Sequence, residues 1–439
     1  VYTTMIKQKE FTKRRHDLMD LAGEGSVIIA RAATQKLRNN DAHYPYRQES
    51  DFLYLSGFSE PDAMMVLLPD ENGGHSIMFC RERDRLREMW DGLMAGTEGA
   101  VEQYGFDEAF PIGEMEKRLP RLLHGRERIY HDLGKDPDFD HLLIGWMNEF
   151  RAKTRKKFLA PDEIVSLDHS LHEMRLFKSR TEISAMRKSA RIAAAAHQRA
   201  MQVCKPGMNE AEIHAELLHT FTRNQCEASY VPIVGGGANA CVLHYISNRD
   251  TLNDGDLLLI DAGAEYHGYA SDITRTFPVN GKFNGAQKDL YELVLTANLK
   301  AIDEVREGNP WDHVHESAVQ VATEGMIDLG ILKGSLEEIL EEEHFKDYYV
   351  HNTGHWLGLD VHDVGEYEID GHSRVLEPGM VLTVEPGIYI PPTATAVDET
   401  WRGMGIRIED NVVVTKDKAD VLTSDICKTM DEIEALMAA

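Results

Sequence analysis

The sequence predicts two domains, an α/β domain over residues 1–175 followed by an α+β domain over residues 176–439. Three observations support this prediction. At 439 residues the chain is longer than one ordinary domain. Short apolar runs alternate with charged helical stretches in the first 170 or so residues, a pattern typical of α/β folds. Beyond that point, helix-capping signals precede a region of short strands.

The first domain contains four strand candidates separated by charged helical windows. The strands are residues 26–30, 63–68, 76–80 and 128–131. One of the helical windows runs from Asp84 to Trp90. This part of the sequence contains no glycine-rich phosphate loop and no nucleophile elbow, so nucleotide binding and serine hydrolase chemistry are not indicated.

Capping boxes predict where the first two helices of the second domain begin. The paired residues are Ser179 with Glu182 and Asn209 with Glu212. Residues 231–278 then read as strands and hairpins, with Gly235-Gly236-Gly237 as a turn. A helical stretch over about residues 287–332 and a final region of short strands complete the predicted domain.

Composition excludes several classes of function. The formal net charge of -27 is unsuited to nucleic acid or an anionic membrane, because both require a basic surface. No apolar run exceeds strand length, so no membrane-spanning segment is expected. The five cysteines form no C-x-x-C pair, which favours reduced thiols and a cytoplasmic location.

Five side chains in the second domain form a candidate metal site. They are Asp261, Asp272, His355, Glu385 and Glu409. Four carboxylates and one imidazole suit a pair of hard or borderline divalent cations that activate a water for amide hydrolysis. Two carboxylates 4 Å apart repel by about 4 kcal/mol at an effective dielectric near 20. Four of them gathered without cations would cost more than the roughly 5–15 kcal/mol net stability of a domain.

The spacing between the two aspartates indicates how they meet. Asp261 ends an apolar run, and ten residues separate it from Asp272. That length suits two antiparallel strands joined by a hairpin, which would place both carboxylates side by side. Each aspartate taken alone fits an ordinary turn cap at the end of a strand, and only the full set of carboxylates favours metal.

Histidines cluster in the same part of the sequence. His351, His355 and His362 fall within twelve residues, and His244 precedes the strand of Asp261. A buried core histidine is the alternative for His355, but the clustering favours a functional role. Arg407 lies two residues before Glu409, on the same side of a strand, where it could pair with a ligand carboxylate.

At these motifs the sequence resembles the pita-bread metallopeptidases, and within them the bacterial aminopeptidase P family. The resemblance extends over nearly the whole chain. The segments that carry it are Asp41 with residues 44–52, and residues 90–92, 172–179, 256–261, 268–277, 355–365, 376–380 and 383–389. The resemblance implies an α/β N-terminal domain followed by a pseudo-symmetric pita-bread catalytic domain.

The resemblance also implies a site with two divalent metal ions, manganese in this family. Asp261 would bind one metal, Asp272 and Glu409 would bridge both, and His355 with Glu385 would complete the other. A hydroxide bridging the metals would attack the scissile carbonyl, and Glu385 would manage the proton of the water. The implied reaction is release of an N-terminal residue from peptides with proline in second position.

Further roles follow from the same resemblance. His244 and His362 match substrate-contacting histidines, while His351, Arg407 and Tyr389 match groups close to the metals. Asp41, Trp90 and Arg155 resemble positions that one subunit offers to the active site of its neighbour in a homotetramer. A solvated basic surface is the alternative for Arg155, which lies in a basic run.

Three other functions compete with this interpretation. A prolidase would cleave Xaa-Pro dipeptides with the same five ligands, but the long N-terminal match favours the aminopeptidase. Methionine aminopeptidase lacks such an N-terminal domain. A non-catalytic pita-bread binding module is disfavoured because all five ligand types are present, and metal content would distinguish it from an enzyme.

Overall fold

Two units make up the chain, Val1–Met174 and Arg175–Ala439. A computed structural model describes residues 5–153 and 159–439. The predicted fold class is confirmed, since a mixed α/β unit precedes a larger unit of helices and short sheets. Among the described residues, no helix combines the length and the apolar character needed to cross a lipid bilayer.

The first unit is built around a single mixed sheet. Its elements are α1 (Gln8–Ala22), β1 (Ser26–Arg31), β2 (Leu37–Asn39), β3 (Ala42–His43), α2 (Ser50–Ser56), β4 (Met64–Leu68), β5 (His75–Cys80), α3 (Arg85–Asp91), α4 (Gly96–Glu102), β6 (Glu108–Pro111), α5 (Met115–Leu123), β7 (Arg128–Tyr130), α6 (Pro137–Ala152), β8 (Glu163–Val165) and α7 (Asp168–Leu176), whose last residues belong to the second unit. Six strands pair in the order β6-β5-β4-β1-β7-β8. Within this sheet β4 runs antiparallel to β1 and β5, and the other pairs are parallel.

The four strands predicted for the first unit are present as β1, β4, β5 and β7, and the predicted helical window is α3. All five residues of β4 are buried, because the strand lies inside the sheet with both faces covered. The apolar runs that signalled these strands therefore form the core of the first unit.

The second unit combines six helices with several small sheets in its described residues. Its elements are α8 (Arg180–Val203), α9 (Glu210–Arg223), β9 (Glu227–Ala228), β10 (Ile233–Gly236), β11 (Leu257–Asp261), β12 (Ala264–Tyr266), β13 (Tyr269–Ala270), β14 (Thr274–Pro278), α10 (Gly285–Glu304), α11 (Trp311–Asp328), α12 (Leu336–Glu341), β15 (Glu368–Ile369), β16 (His372–Ser373), β17 (Val381–Val384), β18 (Gly387–Ile390), β19 (Met404–Arg407), β20 (Asp410–Val413), β21 (Asp420–Val421) and α13 (Met430–Ala438). Both predicted capping boxes are confirmed, at the N-termini of α8 and α9.

The structure refines one prediction about the second unit and corrects another. The helical stretch predicted over about residues 287–332 is confirmed as two helices, α10 and α11. Between them Gly308 has a φ of 90°, and Pro310 is the N-cap of α11. The triple glycine is not a simple turn. Gly235 and Gly236 belong to β10, while Gly237, at a φ of 53°, opens a short 3-10 helix.

Antiparallel pairing in two small sheets brings the acidic motifs to strand ends. Strand β11 pairs with β14, so that Asp261 lies opposite Thr274, and this confirms the predicted antiparallel arrangement. The connection between them also contains the short hairpin of β12 and β13. Strand β17 pairs with β20 with Val384 opposite Asp410, so Glu385 and Glu409 flank that pair.

The close approach of two backbones at Gly263 leads to a prediction about stability. A Cβ at this position would lie 1.6 Å from the carbonyl oxygen of Ser271. We expect Gly263→Ala to lower the free energy of unfolding by about 1–3 kcal/mol, the usual effect of overpacking. Gly285→Ala, where a Cβ meets nothing within 4 Å at the start of α10, is the control and should be neutral or slightly stabilising. Equal melting temperatures for the two variants would contradict this account.

Candidate metal centre

The structure places the five candidate ligands in one buried cluster. Nε2 of His355 lies 3.4 Å from Oδ2 of Asp272 and 3.5 Å from Oε1 of Glu385. Ligand atoms of Asp272, His355 and Glu409 all lie within 4.8 Å of one another. Asp261 joins the cluster through a tyrosine hydroxyl that contacts both aspartates. Residues from five separate stretches of the sequence therefore converge on one point.

Local backbone geometry explains how each ligand reaches the cluster. Asp261 is the last residue of β11, and Asp272 lies two residues before β14. The segment of His355 runs along β17, where the N–H of His355 donates to Oγ1 of Thr383 at 3.0 Å and the N–H of Thr383 donates back to the His355 carbonyl at 2.9 Å. The ligands therefore lie on rigid strand ends.

One helix side chain links the two glutamate ligands. The side-chain amide of Asn298, fully buried on α10, donates to the carbonyls of Val384 and Ile408 at 3.1 and 3.2 Å. Each of these residues immediately precedes a candidate ligand, Glu385 or Glu409. The sequence analysis missed Asn298, because no motif marks it and its partners lie 86 and 110 residues away.

Burial of the carboxylates changes their acidity. Burial, together with the charge of Asp272, raises the pKa of Glu409 well above its usual range. Burial likewise raises the pKa of Glu385 to about 7 and that of Asp261 to about 6. Burial opposes the charge of His355, but its hydrogen bond with Asp272 and the charge of Glu385 raise its pKa to about 9.

Arg407 balances part of this negative charge, as the sequence indicated. Nη2 of Arg407 donates to Oδ2 of Asp261 at 2.6 Å, and Nη1 donates to the Tyr389 hydroxyl at 2.7 Å. Nε donates to Oγ1 of Thr274 at 2.9 Å, and that hydroxyl in turn donates to Oε2 of Glu409 at 2.7 Å. The guanidinium therefore fixes the orientation of carboxylates on two strands.

A residue that the sequence analysis missed, Tyr230, lies between the two aspartates. Its hydroxyl contacts Oδ1 of Asp261 and lies 2.5 Å from Oδ1 of Asp272. One hydroxyl hydrogen can donate to only one of them at a time. Burial raises the pKa of Tyr230 well above 10, so the phenol stays protonated. No sequence signal identifies it, since it lies outside the quoted motifs and 31 residues before Asp261.

The four histidines lie close to one another in or near the cluster. Nε2 of His351 lies 2.8 Å from the Tyr389 hydroxyl, and its Nδ1 lies 4.0 Å from Oε2 of Glu385. The ring of His362 meets that of His355 edge to face at 4.3 Å. Burial, followed by the charge of His355, lowers the pKa of His362, and the charge of His244 contributes. The His244 and His362 side chains are exposed, while His351 and His355 are only partly so.

The remaining predicted residues belong to the first unit. Asp41 is exposed in the turn between β2 and β3, and Trp90 on α3 is 89% exposed. Arg155 lies outside the described residues.

The donor set fits divalent cations. Nδ1 of His355 donates to the Trp356 carbonyl at 2.9 Å, so the ring presents Nε2 toward Asp272 and Glu385. Carboxylate oxygens with one imidazole nitrogen are ligands that hard or borderline cations prefer. The raised pKa values of Asp261, Glu385 and Glu409 mark a surplus of negative charge that bound cations would offset.

Comparison with known proteins points to the same chemistry. Residues 184–416 match the model of metallopeptidase family M24, and residues 11–130 match that of the aminopeptidase P N-terminal domain. The Xaa-Pro aminopeptidase of Escherichia coli is 44% identical, with 99% of this chain and 98% of that protein covered. These matches and the buried ligand cluster support the use of divalent metal.

Solved structures are similar along the whole chain. The aminopeptidase PepP of Pseudomonas aeruginosa is 51% identical, covers 99% of this chain and 98% of its own, and has a TM-score of 0.97. Zinc-substituted aminopeptidase P of Escherichia coli in complex with product is 44% identical, with the same coverage and a TM-score of 0.96. Both domain models match and the similarity extends along the whole chain, so the chain belongs to the aminopeptidase P members of metallopeptidase family M24.

Proposed function

We propose that the chain is an Xaa-Pro aminopeptidase, which releases the N-terminal residue from peptides whose second residue is proline. The observation that carries the proposal is the buried convergence of Asp261, Asp272, His355, Glu385 and Glu409. The names of the similar proteins support the substrate class, since the Escherichia coli relative is an Xaa-Pro aminopeptidase. They favour this activity over prolidase, methionine aminopeptidase or a non-catalytic binding module.

The proposed cofactor is a pair of divalent cations, with manganese the preferred metal. Asp261 would hold one ion, His355 and Glu385 the other, and Asp272 with Glu409 would be shared. The oxygen-rich donor set favours a hard cation such as manganese, and the zinc-substituted relative indicates that zinc is tolerated in a similar site. When bound, such cations polarise a carbonyl and lower the pKa of water toward neutrality.

Glu385 would hold the proton that the attacking water gives up. Its carboxylate lies inside the cluster, with Oε1 accepting from the Thr383 hydroxyl at 3.2 Å. Burial raises the pKa of Glu385 to about 7, which suits a group that both takes and returns a proton near neutral pH. Arg407 and Tyr389 would keep Asp261 and His351 in place through their hydrogen bonds.

The exposed histidines would act on the peptide. His244 and His362 lie on segments without regular secondary structure beside the buried cluster. Their rings can donate hydrogen bonds to the peptide carbonyl and to the oxyanion that develops on it. A bond to proline is a tertiary amide without an N–H, so recognition through the carbonyl suits this substrate.

We also propose a homotetramer in which the first unit governs access to the site. Helix α3 and the residue two positions beyond it present four large apolar side chains to solvent. Their exposed fractions are 73% for Leu86, 76% for Met89, 89% for Trp90 and 84% for Leu93. Apolar patches of this kind mark interaction surfaces. Asp41, Trp90 and Arg155 would serve the site of a neighbouring subunit, and the free cysteines favour a cytoplasmic location.

The activity is tested with three peptides given to the manganese-loaded protein. We expect rapid release from an Xaa-Pro-Xaa tripeptide, and slow release from an Xaa-Pro dipeptide and from a Met-Ala-Xaa peptide, measured by chromatography of the products. Glu385→Ala should lose at least ~10²-fold in rate, the scale of general acid–base catalysis. Faster cleavage of the dipeptide would instead support prolidase, and no cleavage of any of the three peptides would support a binding module.

Metal binding should release protons. At pH 7 the raised pKa values keep His355 protonated and Glu385 about half protonated in the metal-free protein, whereas metal ligands must be deprotonated. We expect release of about one proton or more per chain, and less above pH 9. Calorimetric titration with Mn²⁺ in buffers of different ionisation enthalpy measures this number. Glu385→Ala should release fewer protons, and heats that are independent of the buffer would contradict the prediction.

Subunit mixing tests the proposed role of Trp90. Trp90→Ala and Glu385→Ala should each be nearly inactive alone. Tetramers co-expressed from both variants should recover about a quarter of wild-type activity per subunit, the value for random mixing when one subunit completes the site of its neighbour. Co-expression of Glu385→Ala with Asp261→Ala is the control, because both defects lie in the same cluster. Equal activity for the two mixtures would exclude a role in the neighbouring site.

A further inference from the structure

The segment that carries His244 is held in place from outside the metal centre. Residues 242–249 have no regular secondary structure, and His244 itself is exposed. Among the described residues, no hydrogen bond holds its imidazole ring. Its neighbours Val242 and Ile246 are also exposed, at 54% and 58%. Leu243 and Tyr245, by contrast, pack against the small buried cluster that includes Leu259, so the residues on either side of the ring are held although the ring is not. The position of the ring therefore depends on how the backbone on either side is anchored.

A fully buried carboxylate, that of Glu210, provides a polar anchor in addition to the buried amide of Asn248. Glu210 is the first residue of α9 and has no exposed surface. Its two oxygens accept four hydrogen bonds from both sides of the His244 segment. The donors are the Gly236 N–H at 2.9 Å and the Asn239 side-chain amide at 3.0 Å to Oε1, and the Tyr245 hydroxyl at 2.8 Å and the Asp250 N–H at 2.9 Å to Oε2.

Capping of α9 does not account for Glu210. The helix has its own capping box, in which Asn209 accepts from the Ala211 N–H at 2.9 Å and the Asn209 N–H donates to Glu212 at 2.8 Å. All four hydrogen bonds to the Glu210 carboxylate come instead from the segment between β10 and residue 250. The side chain is therefore directed at the His244 segment.

The chemistry of the four partners requires a carboxylate. Each partner presents a donor, and an ionised carboxylate is acceptor-only with about four lone-pair sites. A glutamine of the same shape would turn its NH₂ toward two of these donors. The Tyr245 hydroxyl can rotate to accept, but at least one of the N–H donors would lose its acceptor. Tyr245, whose hydroxyl donates to Glu210, directly follows His244 in the sequence. Loss of that hydrogen bond would therefore shift the backbone next to His244 and move its imidazole.

We propose that Glu210 is a positioning residue, which sets the place of His244 against the peptide without contacting the peptide or the metal itself. The proposal rests on the proposed function, because that function gives His244 its contact with the substrate. The carboxylate acts by holding both ends of residues 236–250 through its four hydrogen bonds. The backbone then sets the position of the exposed His244 imidazole, which makes no hydrogen bond of its own among the described residues.

A double-mutant cycle tests the catalytic part of the proposal. Glu210→Gln should lower kcat/KM for an Xaa-Pro-Xaa peptide by about 10- to 100-fold, the scale of misplacing a catalytic contact. In the His244→Ala background the same substitution should cost less than about 3-fold, because coupled residues are not additive. Equal losses in the two backgrounds would overturn the proposal, as would a His244→Ala variant as active as wild type.

The matched control is Glu182→Gln. Glu182 is also a buried glutamate in the first turn of a helix, and it accepts from the Ser179 N–H and the Tyr269 hydroxyl, both at 2.9 Å. It contacts no residue of the His244 segment through these bonds. We expect Glu182→Gln to lower the melting temperature. It should lower kcat/KM by the same factor in the wild-type and His244→Ala backgrounds. If Glu182→Gln were coupled to His244→Ala as strongly as Glu210→Gln is, the loss of activity in Glu210→Gln would be explained by general destabilisation, and the proposal would be overturned.

A measurement without turnover keeps the inference separate from the proposed function. In zinc-loaded protein labelled at histidine Cε1, the His244 resonance is assigned by its loss in His244→Ala. It should shift or broaden in Glu210→Gln and stay in place in Glu182→Gln. An unchanged resonance in Glu210→Gln would overturn the positioning role. Failure of the wild-type protein to cleave Xaa-Pro peptides would count against the proposed function, while this comparison would still decide the role of Glu210.

Discussion

Negative charge held out of water is the constraint on which the second unit depends. Four carboxylates share a buried cluster, and burial together with the charges of the other three raises the pKa of Glu409 well beyond its usual range. The scaffold supplies few cations to the ligands themselves. Arg407 pairs with Asp261. Two other cations, the fully buried Arg275 and the partly buried Lys428, both pair with Asp410, at 2.7 Å each, rather than with a ligand. The uncompensated charge is left for metal ions, which are the strongest available counter-charges.

A cluster of like charges stays together only if the chain cannot relax, and β-pairing supplies that rigidity. Asp261 and Asp272 are fixed by the register of β11 against β14, and Glu385 and Glu409 by that of β17 against β20. A slip of one residue in either pair would turn every side chain to the opposite face. The buried apolar residues on these strands prevent such a slip, so core packing maintains the repulsive arrangement.

The sequence predicted the parts of this site that depend on short-range signals. The candidate ligands were identified by their residue types and motifs. The capping boxes of α8 and α9 were identified because each lies within four consecutive residues. Tyr230, Asn298 and Glu210 could not be predicted, because their roles arise from contacts across 26 to 110 residues and their types are common everywhere in proteins. The helical stretch over residues 287–332 was predicted without its internal break, for which Gly308 and Pro310 are the local signals.

The bond of one asparagine to two carbonyls has a consequence for how the chain can change. Because Asn298 holds Val384 and Ile408 together, the separation of Glu385 from Glu409 does not depend on the connection between β18 and β19. Residues 392–396 in that connection are largely exposed. Insertions there would leave the ligand spacing intact. This loop is therefore free to vary in length, with the metal centre itself carried unchanged from one sequence to the next.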